Sequence, residues 1–263
     1  MRMPKVAILS DIHGNLHALK AVLREVATSG AEEIVFGGDL VGYGAAPREC
    51  VELVRNLGGH CVLGNHDAYS KLVFDRGEDH LPDGWKSNPV WSGAAHAVRE
   101  METEALEWLW SRPWFLRMKG GIVAHASLAE PNDWPYILDD AVAAPNLDIL
   151  REKDFGVGFF GHTHRQDLFF DEAADEIPEW IESNQILVPH EACCLVTVGS
   201  VGQPRDEADL RASWTIWDPE QRTIEFRRTE YDAVKAAKAI LDAGLPADSA
   251  RRLFSLKDIE TPA

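Results

Sequence analysis

Residues 6–26 read VAILSDIHGNLHALKAVLREV. The opening Val6–Leu9 is a short apolar run. Ser10 to Asn15 form a polar turn containing Asp11, His13 and Gly14, and Leu16, Leu19, Leu23 and Val26 then follow at spacings of three and four. The run suits a buried strand and the spacing suits the apolar stripe of an amphipathic helix, so the stretch spells strand, turn, helix. Ile34–Phe36 repeats the pattern, with a glycine-rich turn and a helix starting at Pro47 that carries Cys50, Leu53, Val54 and Leu57. His60–Leu63 reads as a third short strand. Repeated βα units predict an α/β fold with a largely parallel sheet.

The period changes beyond this frame. Helical spacing rich in tryptophan (Trp85, Trp91, Trp108, Trp110, Trp114) predicts a helical insertion over about 69–118. The second half is β-rich, with strands expected at Ile122–Ala126, Val157–Phe160, Asp167–Phe170, Leu195–Val198, Ala212–Trp217 and Thr223–Arg228. This implies a second sheet. Asp232 to Ala243 reads as a final helix capped by Asp232. No repeat or Gly/Ser linker divides the chain, so residues 1–263 are expected to form one domain.

The 263 residues carry 26 Lys and Arg against 43 Asp and Glu, a formal charge of −17, with 45 % hydrophobic and 26 % charged residues. That balance fits a globular protein and excludes disordered, collagenous and coiled-coil readings. It also argues against a nucleic-acid polymer as partner, since such affinity comes from clustered Lys and Arg. The acidic stretch between Arg165 and Arg205 is expected to be a solvated excursion. No apolar run approaches a signal or membrane segment, and Cys50, Cys61, Cys193 and Cys194 show no zinc-binding spacing, which predicts a cytoplasmic protein with reduced thiols.

The informative residues fall just past the strand ends: Asp11 and His13 after the first, Asp39 after the second, Asn65 and His66 after the third. His125 and the pair His162 and His164 repeat the arrangement in the second half. Open α/β sheets bind ligands at that edge. In extended chain, residues two apart face the same side, so Asp11 with His13, and His162 with His164, would each aim two donors at one place. Five histidines with two carboxylates and an amide favour a metal site. His17, His60, His80, His96 and His190 are assigned no role.

These residues resemble the calcineurin-like metallophosphoesterase superfamily, whose ordered blocks match Asp11-Ile12-His13, Gly38-Asp39, Gly64-Asn65-His66-Asp67, His125 and Gly161-His162-Thr163-His164. The later Gly199-Ser200-Val201-Gly202-Gln203-Pro204-Arg205 is similar to a segment of the compact bacterial and archaeal phosphodiesterase-like branch. The resemblance implies two mixed β-sheets packed as a sandwich, flanked by helices. It implies two divalent transition-metal ions bridged by Asp39, one also held by Asp11, His13 and His164, the other by Asn65, His125 and His162. His66 is then the catalytic residue. The donor set suits manganese first, with iron, zinc or nickel as substitutes.

Such a centre predicts hydrolysis of a small phosphate ester, a phosphodiester or nucleotide-type substrate, by a metal-bridging hydroxide, with His66 assisting the leaving group. Two divalent ions against two carboxylates leave a local positive charge. At ~4 Å and an effective dielectric of about 20 each charge pair is worth roughly 4 kcal/mol, while surface carboxylates beyond ~8–10 Å are screened. An acidic protein can therefore bind phosphate. Where the protein phosphatase branch carries Asp and Arg after the second block, this chain has Gly42 and Tyr43, which disfavours a protein phosphatase. Arg205 is the candidate replacement contact for phosphate. Trp108 and Trp110 cannot share one helix face, and a tryptophan lining the cleft would stack on a nucleobase. The alternative from another class is a non-catalytic metal-binding interaction scaffold of the same fold.

Overall fold

In the computed structural model, which describes residues 2–206 and 209–254, the strand β1 (Val6–Leu9) is buried along its whole length. Both faces are covered: Val6 and Ile8 enter one apolar cluster, and Ala7 and Leu9 another. The next helix, α1 (Leu16–Val26), is capped by Asn15, whose side chain accepts from the Ala18 N–H. Then come β2 (Glu33–Phe36), α2 (Pro47–Asn56), α3 (Asn65–Arg76), α4 (Pro89–Glu100) and α5 (Thr103–Trp110). The second half contains β3 (Phe115–Met118), β4 (Gly121–Ala124), α6 (Asp140–Glu152), β5 (Val157–Phe160), β6 (Gln166–Phe170), β7 (Glu179–Glu182), β8 (Gln185–Leu187) and β9 (Cys194–Val198). It continues with β10 (Ala212–Asp218), β11 (Thr223–Thr229), α7 (Ala233–Asp242) and α8 (Ala247–Arg251).

The strands form two mixed sheets, ordered β2-β1-β10-β11-β8-β7 and β3-β4-β5-β9-β6. The sheets face each other across Val6, Ile8, Val123, Phe159, Val196 and Trp217. Helices α1, α2 and α5 cover the outer face of the first sheet with Leu19, Val22, Val51, Val54, Leu106 and Leu109. Helix α6 covers the second sheet, setting Ala143, Leu147 and Leu150 against Ile122, Phe160 and Leu195. The two-sheet sandwich flanked by helices is thus the observed architecture.

Several local expectations are corrected. Among the described residues only β1–β2, β4–β5 and β5–β9 pair in parallel, so the first sheet is not largely parallel. His60–Leu63 contributes one bridge, Phe36 with Cys61, because β2 ends there. Helix gives way before residue 118: Leu116 and Met118 pack between the sheets while Phe115 and Arg117 are exposed, the period of a strand. The acidic excursion is built around β6 and the β7–β8 hairpin, anchored by buried Ile186. Helix α6 went unread because Pro145 interrupts its pattern; the helix nevertheless runs through it.

Phe159 and Trp217 are fully buried partners with ring centroids 5.8 Å apart, and the Trp217 indole N–H donates to the Lys119 carbonyl at 3.0 Å. Phe159→Ala should therefore lower the unfolding free energy by about 3–5 kcal/mol in urea titration.

Candidate metal centre

Asp11 and His13 lie on the loop leaving β1, and Asp39 on the loop leaving β2. Asn65 and His66 open α3, His125 follows β4, and His162 and His164 follow β5. The structure brings all eight together, and all are buried. The C-terminal ends of the parallel strands of both sheets meet at this edge. Extended chain is not the reason each pair converges. Asp11, His13, Asp39, His162 and His164 all hold left-handed backbone, with φ of 55°, 49°, 54°, 66° and 60°. Non-glycine residues rarely adopt it, and such strain collects at functional sites.

Four imidazoles share one arrangement. Nδ1 of His13, His125 and His164 meets the carbonyls of Val41, Gly37 and Gln203 at 3.1, 2.7 and 2.6 Å, and His162 Nε2 meets the Trp134 carbonyl at 2.9 Å. A carbonyl only accepts, so each ring donates its N–H there and is left with the other nitrogen for the centre. The consequence is a conflict. His13 Nε2 and His164 Nε2 face each other at 3.1 Å, two lone pairs with no proton between them.

The carboxylates are arranged alike. Asp11 Oδ2 accepts from the His162 N–H at 3.0 Å, and Asp39 Oδ1 from the His66 N–H at 2.8 Å. Their other oxygens, Asp11 Oδ1 and Asp39 Oδ2, are buried without a hydrogen-bond partner. Asp11 Oδ1 lies 3.2 Å from His164 Nε2 and 3.6 Å from His13 Nε2. Asp39 Oδ2 stands between two rings, 3.6 Å from His13 Nε2 and 3.3 Å from His125 Nε2. Divalent cations fit this donor set: they provide the partner each orphaned oxygen lacks and a common target for the opposed lone pairs.

Ionisation agrees. Burial alone would raise Asp11, but the neighbouring His164 and His13 rings hold it well below the usual carboxylate range. Asp39 is likewise buried, yet held low by His125 and His66. Burial pushes His162 down to about 3, with the His125 charge adding, and His164 down to about 4 against the pull of Asp11. Burial resists protonation of His125, but Asp39 outweighs it and raises the ring to about 9. Neutral imidazole is the form that binds metal, which suits His162 and His164, whereas a bound cation would have to displace the extra proton that Asp39 holds on His125.

His66 differs from these four rings. Its Nδ1 is buried with no partner, and burial pushes its pKa well below normal. Its ring stands edge-on to His13 at 4.8 Å and beside Tyr43 at 4.5 Å. Gly42 makes that packing possible, since a Cβ there would sit 2.7 Å from His66 Nδ1 and 2.8 Å from His13 Nδ1, on a backbone with φ 117°. A cation could also be approached by His13, Asp39 and His66 together. Arg205 lies beside His164: its backbone N–H donates to the His164 carbonyl at 3.1 Å, its charge acts on His164 and Tyr43, and its Nε is buried without a partner among the described residues. His96 donates to or accepts from no site residue; it meets the Ala45 carbonyl at 3.0 Å.

Two supports, whose roles the sequence does not show, hold the site. Asp67 is fully buried and accepts four backbone N–H groups, from Asp39 (2.9 Å), Gly64 (3.0 Å), Leu40 (3.0 Å) and Val41 (3.2 Å). It ties the Asp39 loop to the start of α3. The 199–205 segment braces the other side: Ser200 Oγ and the Gly202 N–H both donate to the Asp11 carbonyl at 2.9 Å. A Cβ on Gly202 would lie 1.9 Å from the Ile12 carbonyl oxygen, so only glycine permits the contact. In the sequence, Asp67 shows only as the last residue of the 64–67 block, and Ser200 and Gly202 only as members of the 199–205 segment.

Comparison with known proteins agrees with this geometry. Residues 4–166 match the family model described as calcineurin-like phosphoesterase. The chain is 36 % identical over 253 residues to the uncharacterized protein MJ0912 of Methanocaldococcus jannaschii, covering 95 % of this chain and 97 % of that one. It superposes on the crystal structure of a metallophosphoesterase from Sphaerobacter thermophilus with a TM-score of 0.77 and 32 % identity, covering 95 % and 98 % of the two chains. A symmetrical bis(5'-nucleosyl)-tetraphosphatase of Actinobacillus succinogenes is 28 % identical over 159 residues, 56 % of this chain and 52 % of that protein. The match thus spans about half of the tetraphosphatase.

Asp67→Ala would leave four buried N–H groups without an acceptor. Urea titration should show a loss of about 3–5 kcal/mol, at roughly 1 kcal/mol for each unpaired donor, together with reduced metal uptake by the purified variant.

Proposed function

This chain belongs to the calcineurin-like phosphoesterases, and from that premise we propose that it is a hydrolase of small phosphodiester or nucleotide-type esters with a binuclear centre. The observation carrying the proposal is the confrontation of His13 and His164 beside the orphaned oxygens of Asp11 and Asp39. Asp11, His13 and His164 would hold one ion, and Asn65, His125 and His162 the other, with Asp39 between them. The bridging role is supported by Asp39 Oδ2, which lies 3.6 and 3.3 Å from ring nitrogens of the two groups. When bound, the ions would neutralise phosphate charge and lower the pKa of water. Manganese is the metal to try first.

The chain's own groups supply the rest. His66, unanchored by any side-chain hydrogen bond among the described residues, can hydrogen-bond the departing oxygen. Arg205, whose Nε has no partner among the described residues, can bind a phosphate oxygen. The relative from Actinobacillus succinogenes, named a bis(5'-nucleosyl)-tetraphosphatase, supports a nucleotide-type substrate. Four cysteines without disulfides suit a cytoplasmic location.

Purified protein loaded with manganese should bind about two ions and hydrolyse an aryl phosphodiester. Full metal loading with no hydrolysis across diesters, monoesters and dinucleoside polyphosphates would overturn the enzymatic reading in favour of a scaffold. His66→Ala should keep its metal while kcat falls by about 10²- to 10⁴-fold. Asp39→Ala should lose both ions by elemental analysis, and retention of two would remove Asp39 as the bridge. Arg205→Ala should raise KM with metal content unchanged.

A further inference from the structure

The loop between β4 and α6 carries an aromatic surface that the hydrolytic reading leaves unused. Trp134 holds φ 50°, a strained backbone for a bulky residue, while its carbonyl receives the His162 N–H at 2.9 Å. This holds the Trp134 backbone, and its indole centroid lies 5.7 Å from the His125 ring and 5.0 Å from Trp114. Two residues on, Tyr136 lies flat against His162, with centroids 4.1 Å apart and planes at 17°. Each ring of this run is held on the side toward the centre. The outer rings stay in water: Tyr136 on this loop is 46 % exposed, and Trp114, just before β3, is 41 % exposed.

Core packing does not account for half-exposed rings. Trp108 and Trp110 show the contrast: Arg112 covers Trp108 with its guanidinium 4.3 Å from the ring centroid, and Trp110 donates to Ser70 at 2.9 Å. Neither Tyr136 nor Trp114 makes a side-chain hydrogen bond among the described residues. The surface therefore offers π-faces without polar readout, which suits a flat heteroaromatic ring of any base identity. A nucleoside carries its base one sugar away from its phosphate, and Tyr136 is one ring away from the buried centre.

We propose that Trp114, Trp134 and Tyr136 form a nucleobase-stacking subsite beside the phosphate site, so that the substrate is a nucleoside phosphodiester or polyphosphate. This rests on the phosphoesterase reading above. The test is calorimetric binding of AMP, ribose 5-phosphate and inorganic phosphate to the manganese-loaded protein. AMP should bind about tenfold to a hundredfold more tightly than ribose 5-phosphate, the range expected for one stacked base. Trp114→Ala, which removes a ring touching no metal-centre residue, should shrink that ratio. Tyr136→Ala should do the same and Tyr136→Phe should preserve it, with metal content measured for each. Equal affinities for AMP and ribose 5-phosphate, or a ratio unmoved by both alanine variants, overturns the subsite. Hydrolysis without an AMP preference defeats the subsite alone. An AMP preference without hydrolysis of any ester defeats the catalytic reading and leaves the subsite standing.

Discussion

Four imidazole rings each donate an N–H to a backbone carbonyl, and three turn the remaining nitrogen onto the unpaired oxygens of Asp11 and Asp39 in a water-poor interior. Such a cluster is unfavourable by itself, because burial strips carboxylates and lone pairs of hydration and gives back too few hydrogen bonds. Positive charge must be brought in. Much of the surrounding structure works to hold these groups at this density: the Asp67 carboxylate gathering four N–H groups, the left-handed residues turning side chains inward, and the 199–205 segment pressed onto the Asp11 loop.

The fold makes this possible by bringing two sheets to one edge. The parallel pairs β1–β2 and β4–β5 end beside each other, so their loops deliver donors from opposite walls without a long excursion of chain. The antiparallel strands β10 and β11 widen the first sheet and bury Trp214 and Trp217, so the rigidity of the edge is supplied by residues with no part in the chemistry. The formal charge of −17 is spread over the chain, while the site's field is set by groups a few ångströms apart. At that range the local charges decide phosphate binding.

Gly42 and Tyr43 show how one loop alters a shared centre. With no room for a side chain at position 42, the His66 ring packs against His13 and Tyr43 in place of an orienting carboxylate. The opposite wall, from Trp134 to Tyr136, presents aromatic faces to solvent. The donor cluster and the aromatic surface thus reside on different walls, and the second can vary while the first stays fixed.

The strands β1, β5, β9, β10 and β11, helices α1 and α7 and the eight clustered residues were legible in the sequence. Each is a local pattern: an apolar run, a helical spacing, or a donor just past a strand end. The stretches 115–118 and 140–152 were not, since burial between sheets made a strand of the first and packing on β5 and β9 carried the second through Pro145. Sequence likewise determined which donors the centre would have. Only tertiary structure decided which nitrogen of each histidine faces inward, because that depends on carbonyls of Val41, Gly37, Gln203 and Trp134, each at least 28 residues from its histidine in the chain and the farthest, Gly37, 88 from His125. It also gave Asp67 and Trp134 their places, since a hydrogen bond or a stacked ring is settled by distance in space, on which spacing along the chain is silent.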